Sequence, residues 1–379
     1  MFEDILLPAE APTTHIDIEY PVDENVESHN HSELVNIMKE LVDANLKEEI
    51  TFKSMVGGVT NTLFKSSFIT GQGNNKSVII RLYGKGSEQF IDRKQEAYIQ
   101  YLLSKNGVGP QFYGTFNNGC VYGYVEGDQL QLEDLESKFI LDMIGDQVAR
   151  WHSLDFKLNK TPMMVSNIHS WIQTTEALVC TNSMIDIDVE YYKKESLQLL
   201  DFLQNQYSSS LSSPHIKFCH NDLIPRNMIY NRHREVVKFI DFEYSGYNYR
   251  GYDIGNFFCE FSGLDLDYTK YPSVSIQKQF IKHYLESLTQ LKQHQNNNNN
   301  NNISSTSSIT NEKKYEASEE EIHQLYIEAN HFSLGSHLMW GFWGIVQHFS
   351  SSIEFDYLDY SRKRFKQYDL VKKKVLNLK

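Results

Sequence analysis

The hydrophobic positions change period twice along the chain. Leu34, Ile37, Met38 and Leu41 recur at helical spacing, which predicts an amphipathic helix over 32–47 with Ser32 as its N-cap. From Ile50 the period falls towards two. ITFKSMVGGVTNTLFKSSFI reads as two strands joined at Gly57-Gly58, and SVIIRLYG as a short buried strand. QEAYIQYLLSKNG reads as a helix stopped at Gly107, and QFYGTFNNGCVYGYVEG as strand again with turn glycines.

After Gly127 the spacing becomes mainly helical, over 132–155, 165–180, 188–207, 275–292 and 319–349. A stretch at 214–262 interrupts it with the short β runs HIKFCH, MIYNRH and VVKFIDF. The pattern predicts an α+β chain in two parts, a β-rich one over 31–127 and a larger, mainly helical one over 128–379. Residues 1–30 are acidic, contain Pro8, Pro12 and Pro21, and read as a tail or a peripheral strand. An Asn-rich polar run at about 293–314 is too poor in apolar residues to build a core and is expected to be disordered.

Composition narrows the class. The 379 residues are 40% hydrophobic and 13% aromatic, enough for a large core, so global disorder is excluded. A formal net charge of −13 argues against a nucleic-acid coat. No apolar run approaches the roughly 20 residues of a transmembrane helix. The cysteines (Cys120, Cys180, Cys219, Cys259) lie far apart, suiting neither a zinc site nor a disulfide framework. The first basic residue is Lys39, after eight acidic ones from Glu3 to Glu27, so neither a secretory nor a mitochondrial leader is expected and the cytoplasm is the expected location. The end from Arg362 to Lys379 is basic and reads as a solvated helix end.

The chemistry concentrates in His220-Asn221-Asp222-Leu223-Ile224-Pro225-Arg226-Asn227, followed by Ile240-Asp241-Phe242-Glu243. Protein kinases use H-x-D-x-x-x-x-N and a later D-F-G, and the Asp-to-Asn spacing here is the same. Transfer of a phosphoryl group to an alcohol needs a carboxylate to accept the hydroxyl proton. It also needs hard oxygen ligands for Mg²⁺, which bridges the phosphates. Upstream, Gly57, Gly58, Thr60, Asn61 and Thr62 lie between strands, in a stretch that reads alone as an ordinary hairpin turn but whose backbone N–H groups and small side chains could approach phosphate oxygens. The loop is neither a Walker A nor a G-x-G-x-x-G motif. Arg81 takes the place of the strand lysine of kinases and Glu96 sits in the next predicted helix.

FCHNDLIPRNMIY and KFIDFEYSGYNYRGYDIGNFFCEF resemble the signatures of the choline/ethanolamine kinase family. GGVTNTLF and IIRLYG are similar to its N-terminal elements, and LMWGFWGIVQ with FDYLDYSRKRF to its C-terminal ones, over about 40–375 without the Asn-rich run. The resemblance implies a protein-kinase-like bilobal fold with a β-rich ATP lobe. It implies ATP and Mg²⁺ as cofactors and Asp222 as the catalytic base. Asn227 and Asp241 resemble metal ligands, with Glu243, in a D-F-E where protein kinases have D-F-G, as a further acid.

The acceptor is expected to be small, because little chain separates Asp241 from the next motif. Tyr244, Asp253 and Glu260 follow it, while Trp340 with Trp343 and Tyr357 with Tyr360 share an i,i+3 spacing. Tryptophan faces and carboxylates suit an ammonium ion, and by the resemblance Tyr244, Glu260, Trp340, Trp343, Tyr357 and Tyr360, together with Asp222, bind the acceptor. Choline kinases tend to carry glutamine where this chain has Ile224, so the resemblance leans to ethanolamine kinases. It then implies phosphoethanolamine formation on the CDP-ethanolamine route to phosphatidylethanolamine. A choline or dual kinase, an aminoglycoside-type kinase and a catalytically weak pseudokinase scaffold are the alternatives. The expected partners are a small amino alcohol and no nucleic acid, with a monomer and a homodimer both open.

Overall fold

A computed structural model describes residues 14–20, 31–46, 50–55, 61–84, 92–181, 185–207, 213–301, 315–351 and 353–378, with backbone alone at 31, 61 and 296–301. The chain divides into two units, Met1–Gly127 with Ile240–Glu243, and Asp128–Phe239 with Tyr244–Lys379.

The first unit is built on strands β1 (His15–Ile16), β2 (Thr51–Met55), β3 (Asn61–Ile69), β4 (Asn75–Tyr83), β5 (Phe112–Phe116) and β6 (Gly119–Gly123), with helices α1 (His31–Leu41) and α2 (Arg93–Lys105). The sheet order is β1-β5-β6-β4-β3-β2, so β4 is internal. Val78 to Leu82 are all buried, as expected of a strand covered on both faces. Side chains alternate along it: Val78, Ile80 and Leu82 join Phe64, Phe68 and the α1 residues Leu34, Ile37 and Met38 in one core. Arg81 therefore falls on the opposite face. Asp92 caps α2 by accepting from the backbone of Lys94 and Gln95, which sets Glu96 in the first turn.

Of the two readings of the N-terminal stretch, residues 14–20 take the peripheral strand and not the tail: β1 pairs in parallel with β5 at the edge of the sheet, and Tyr20 is 1% exposed in the core. Glycine at position 114 permits this approach, since a Cβ there would lie 2.4 Å from the Thr14 carbonyl oxygen. Helix α1 stops at Leu41, not at 47, because Asp43 takes the Asn45 N–H into a turn at 2.9 Å, and Ser32 lies within the helix.

The second unit contains α3 (Lys138–His152), α4 (Met163–Thr181), α5 (Val189–Tyr207), α6 (Arg250–Cys259), α7 (Val274–Asn301), α8 (Glu319–Ser350) and α9 (Tyr357–Leu376). It also holds β7 (Asp128–Gln129), β8 (Ile216–Cys219), β9 (Met228–Asn231), β10 (Val236–Phe239) and β11 (Gly246–Tyr249). These strands form an antiparallel β10-β9-β7 sheet and an antiparallel β11-β8 pair. Helix α8 is buried around most of its circumference from Glu328 to Phe342, as a central helix must be. It packs against α4, α6 and α9. Gly255 lets α6 approach closely, since a Cβ there would lie 2.2 Å from the Ala329 carbonyl oxygen. Helix α7 runs on to Asn301, so 293–301 are helical rather than disordered. Once a helix is nucleated, each further residue adds a hydrogen bond at little cost, and asparagine is only a moderate opponent. The rest of the Asn-rich run, 302–314, lies outside the described residues. No helix among the described residues is long and apolar enough to cross a membrane.

Candidate active site

In the second unit, β8 leads directly into the His220–Asn227 loop, which turns through a 3₁₀ segment at Pro225–Asn227 into β9. Asn221 takes a left-handed backbone (φ 67°), a conformation that asparagine tolerates better than most residues. The loop is held by one buried carboxylate. Asp253 of α6, 1% exposed, accepts the Asn221 N–H at 2.8 Å and the His220 N–H at 3.1 Å. His152 at the end of α3 is 3.0 Å from the same carboxylate through Nε2, and its Nδ1 is 2.9 Å from the Tyr284 hydroxyl. Burial pushes the His152 pKa below its ordinary value in spite of Asp253, which favours a neutral ring donating from Nε2 and accepting at Nδ1. Asn221 in turn donates from Nδ2 to the Tyr244 carbonyl oxygen at 2.8 Å. Asn227 donates from Nδ2 to Asp222 Oδ2 at 2.8 Å, which fixes the half-buried Asp222 carboxylate and turns the Asn227 Oδ1, a hard oxygen donor, away from it.

The same unit gathers the aromatic residues. Tyr244 and Trp340 meet edge to face at 5.4 Å, Trp340 and Trp343 at 5.4 Å, and Trp343 meets Tyr357 at 5.7 Å and Tyr360 at 6.0 Å. Trp343 donates from Nε1 to the Tyr244 hydroxyl at 3.1 Å, and Trp340 donates to Asn256 Oδ1 at 2.8 Å. Burial pushes the Tyr360 hydroxyl up to about 12, so it stays protonated. Glu260 is buried and receives Arg364 Nη2 at 2.6 Å. Its charge is therefore shared with a guanidinium, which its sequence position did not suggest.

In the first unit, Arg81 is 4% exposed and faces three carboxylates: Glu96 at 2.7 Å, Glu243 at 3.4 Å and Asp241 at 4.0 Å. Arg93 holds the other oxygen of Glu96 at 2.7 Å. Burial opposes the Arg81 charge, but the facing carboxylates outweigh it and raise its pKa well above the ordinary value. Asp241 also has a left-handed backbone (φ 64°), and its side chain is the exposed member of the set at 44%. Three carboxylates against two guanidiniums leave one negative charge, and the donors are hard oxygens, so the set fits Mg²⁺. Gly57, Gly58 and Thr60 lie outside the described residues. Asn61 opens β3, and Thr62 pairs with Leu82 of β4 with its side chain exposed.

The sequence did not disclose the roles of Asp253, His152, Trp171 and Arg364. Asp253 follows Asp241 in the stretch that offers acceptor-side residues, but its carboxylate holds the loop backbone. Trp171 of α4 packs 6.0 Å from Trp340 and 6.5 Å from Tyr244, so a third tryptophan joins the aromatic group. Only the scarcity of tryptophan, four in the chain, could have drawn attention to it.

A β-rich unit carrying a strand arginine paired to a helix glutamate, and a helical unit carrying H-x-D-x-x-x-x-N, define the protein-kinase-like fold class. The choline/ethanolamine kinase family model matches residues 52–369, and the chain belongs to that family. It is 56% identical to "Probable ethanolamine kinase B" of Dictyostelium discoideum, over 100% of this chain and 99% of that protein. It is 34% identical to ethanolamine kinase 1 of Homo sapiens, over 88% of this chain and 70% of that protein. The solved structure of a Plasmodium vivax ethanolamine kinase superposes with a TM-score of 0.71 at 24% identity, covering 88% of this chain and 86% of that one, a likeness of fold.

Proposed function

We propose that the protein is an ATP-dependent ethanolamine kinase that converts ethanolamine to phosphoethanolamine. The observation that carries this reading is the aromatic group of Tyr244, Trp340, Trp343, Tyr357 and Tyr360 built into the same unit as the Asp222 loop and tied to it through Asn221 and the Tyr244 carbonyl. An ammonium is attracted to aromatic faces and to the Glu260 carboxylate, and its hydroxyl end then needs a base. Asp222 is that base. With Oδ2 held by Asn227, its other oxygen takes the hydroxyl proton as the new O–P bond forms and the bond to ADP breaks. Arg81, kept charged by Glu96, holds donor phosphate charge in place of the usual lysine. Asp241, Glu243 and Asn227 would hold Mg²⁺, which when bound supplies neutralisation of phosphate charge.

A primary ammonium donates three hydrogen bonds and needs acceptors, whereas trimethylammonium donates none and relies on aromatic walls. The Tyr244 hydroxyl, Glu260 and Asp222 are acceptors, and the similarity to ethanolamine kinases points the same way. The number of aromatic rings favours choline as the second reading. A coupled ADP-release assay with ethanolamine, its N-methylated derivatives and choline side by side tests both. The expected result is a kcat/KM that falls with each methyl added. A value for choline equal to or above that for ethanolamine overturns the substrate, and ATP turnover with none of them revives the pseudokinase reading.

A further inference from the structure

Helix α9 places one arginine beneath the aromatic group. The Arg364 side chain has no exposed surface, and its Nε donates to the Tyr360 hydroxyl at 3.0 Å while its Nη2 holds Glu260 Oε1. A buried guanidinium is tolerated where a carboxylate meets it, and here that carboxylate is the acid read as the acceptor's partner. Glu260 Oε2 receives nothing from the described residues, and the side chain keeps 8% of its surface. One planar fork therefore fixes both a carboxylate oxygen and a ring hydroxyl, a geometry that a lysine's single nitrogen does not reproduce. Burial works against the Arg364 charge, but its surroundings, with the Glu260 carboxylate as the ionised partner, outweigh this and keep it protonated.

We propose that Arg364 is a positioning residue for the acceptor: it fixes Glu260 so that Oε2 is presented to the ammonium, and it holds Tyr360 as the adjoining wall. This rests on the reading of Glu260 and Tyr360 as acceptor-binding residues. A purely structural ion pair would change folding and both substrates' kinetics alike. A positioning role acts through Glu260 and on one substrate.

The test compares wild type, Arg364→Lys, Arg364→Met, Glu260→Gln and the Glu260→Gln/Arg364→Met double variant, with KM measured separately for ethanolamine and for MgATP. Arg364→Met is expected to raise the ethanolamine KM at least about tenfold and leave the MgATP KM within about twofold, with Arg364→Lys between it and wild type. The double variant is expected to be no worse than the poorer single variant, because both changes remove one interaction. If Arg364→Met does not fold, Arg364→Lys decides by the same two constants. An unmoved ethanolamine KM in the folded variants, an equal rise in both constants, or losses that multiply in the double variant overturn the role of Arg364 alone. Absence of wild-type turnover with any amino alcohol overturns the reading beneath it and the role together.

Discussion

At the scale of single residues, Asp222 and Trp343 make separable predictions. Asp222→Asn keeps shape and the contact with Asn227 but removes the proton acceptor, so kcat should fall by about 10²–10⁴ with little change in ATP binding. Near-normal turnover would show that the base lies elsewhere. The two tryptophans of α8 should behave differently. Trp343 is half-buried and its N–H donates to the Tyr244 hydroxyl, so Trp343→Leu should raise the ethanolamine KM by about 0.5–2 kcal/mol, roughly 2–30-fold, at near-normal stability. Trp340 is 5% exposed and its N–H donates to Asn256 Oδ1, which also accepts from Ser336, so Trp340→Leu should in addition cost about 1–3 kcal/mol of stability through the lost buried volume and the lost hydrogen bond. Chemical denaturation beside the kinetics separates them, and equal loss of stability in both variants would refute the distinction. Asp222 and Asn227 were legible because their spacing closes one local turn. Asp253 and His152 were not, because their contacts with the loop and with each other span 32 to 101 residues of sequence and leave no periodic trace.

At the scale of elements, Asp253 couples α6 to the loop that follows β8. Its carboxylate meets two backbone N–H donors and the His152 ring, so an amide at that position must turn an N–H towards another donor. Asp253→Asn should cost about 1–3 kcal/mol of stability for the mispaired buried group. It should also lower kcat by up to about 10² through displacement of Asp222. Measurement well below the melting temperature of the variant isolates the second effect. A full kcat in folded Asp253→Asn would mean that the loop holds its own shape. The element pattern itself was readable where apolar spacing was strong: α4, α5 and α8 lie within two residues of the periodic stretches at 165–180, 188–207 and 319–349. It failed where composition opposed cooperativity, as in the asparagines that extend α7, and it left a tail and a peripheral strand both open where pairing came from afar, as in β1 on β5. The stretch at 132–155 is in fact a 3₁₀ segment at Leu132–Glu136 followed by α3, with Ser137 between them in an extended conformation.

At the scale of the whole molecule, the sign of the charge matters more than its placement. A net charge of −13 gives the protein a negative field that reaches about 30 Å at 0.01 M salt and about 8 Å at 0.15 M. Ethanolamine at neutral pH is a monocation and MgATP an anion, so the same field concentrates one substrate and repels the other. Local positive charge at Arg81 and Arg93 is balanced by Glu96, Asp241 and Glu243, and it does not reverse the long-range term. Raising KCl from about 0.01 M to about 0.3 M should therefore raise the ethanolamine KM by about two- to fivefold, while the MgATP KM stays level or falls. Sucrose at matched osmolality should leave both constants in place, since it does not screen charge. The aromatic contribution to ammonium binding is short-ranged and should persist at high salt, so the ethanolamine KM should level off rather than climb without limit. A parallel rise in both constants would point to a general salt effect on folding or turnover and would refute the steering argument.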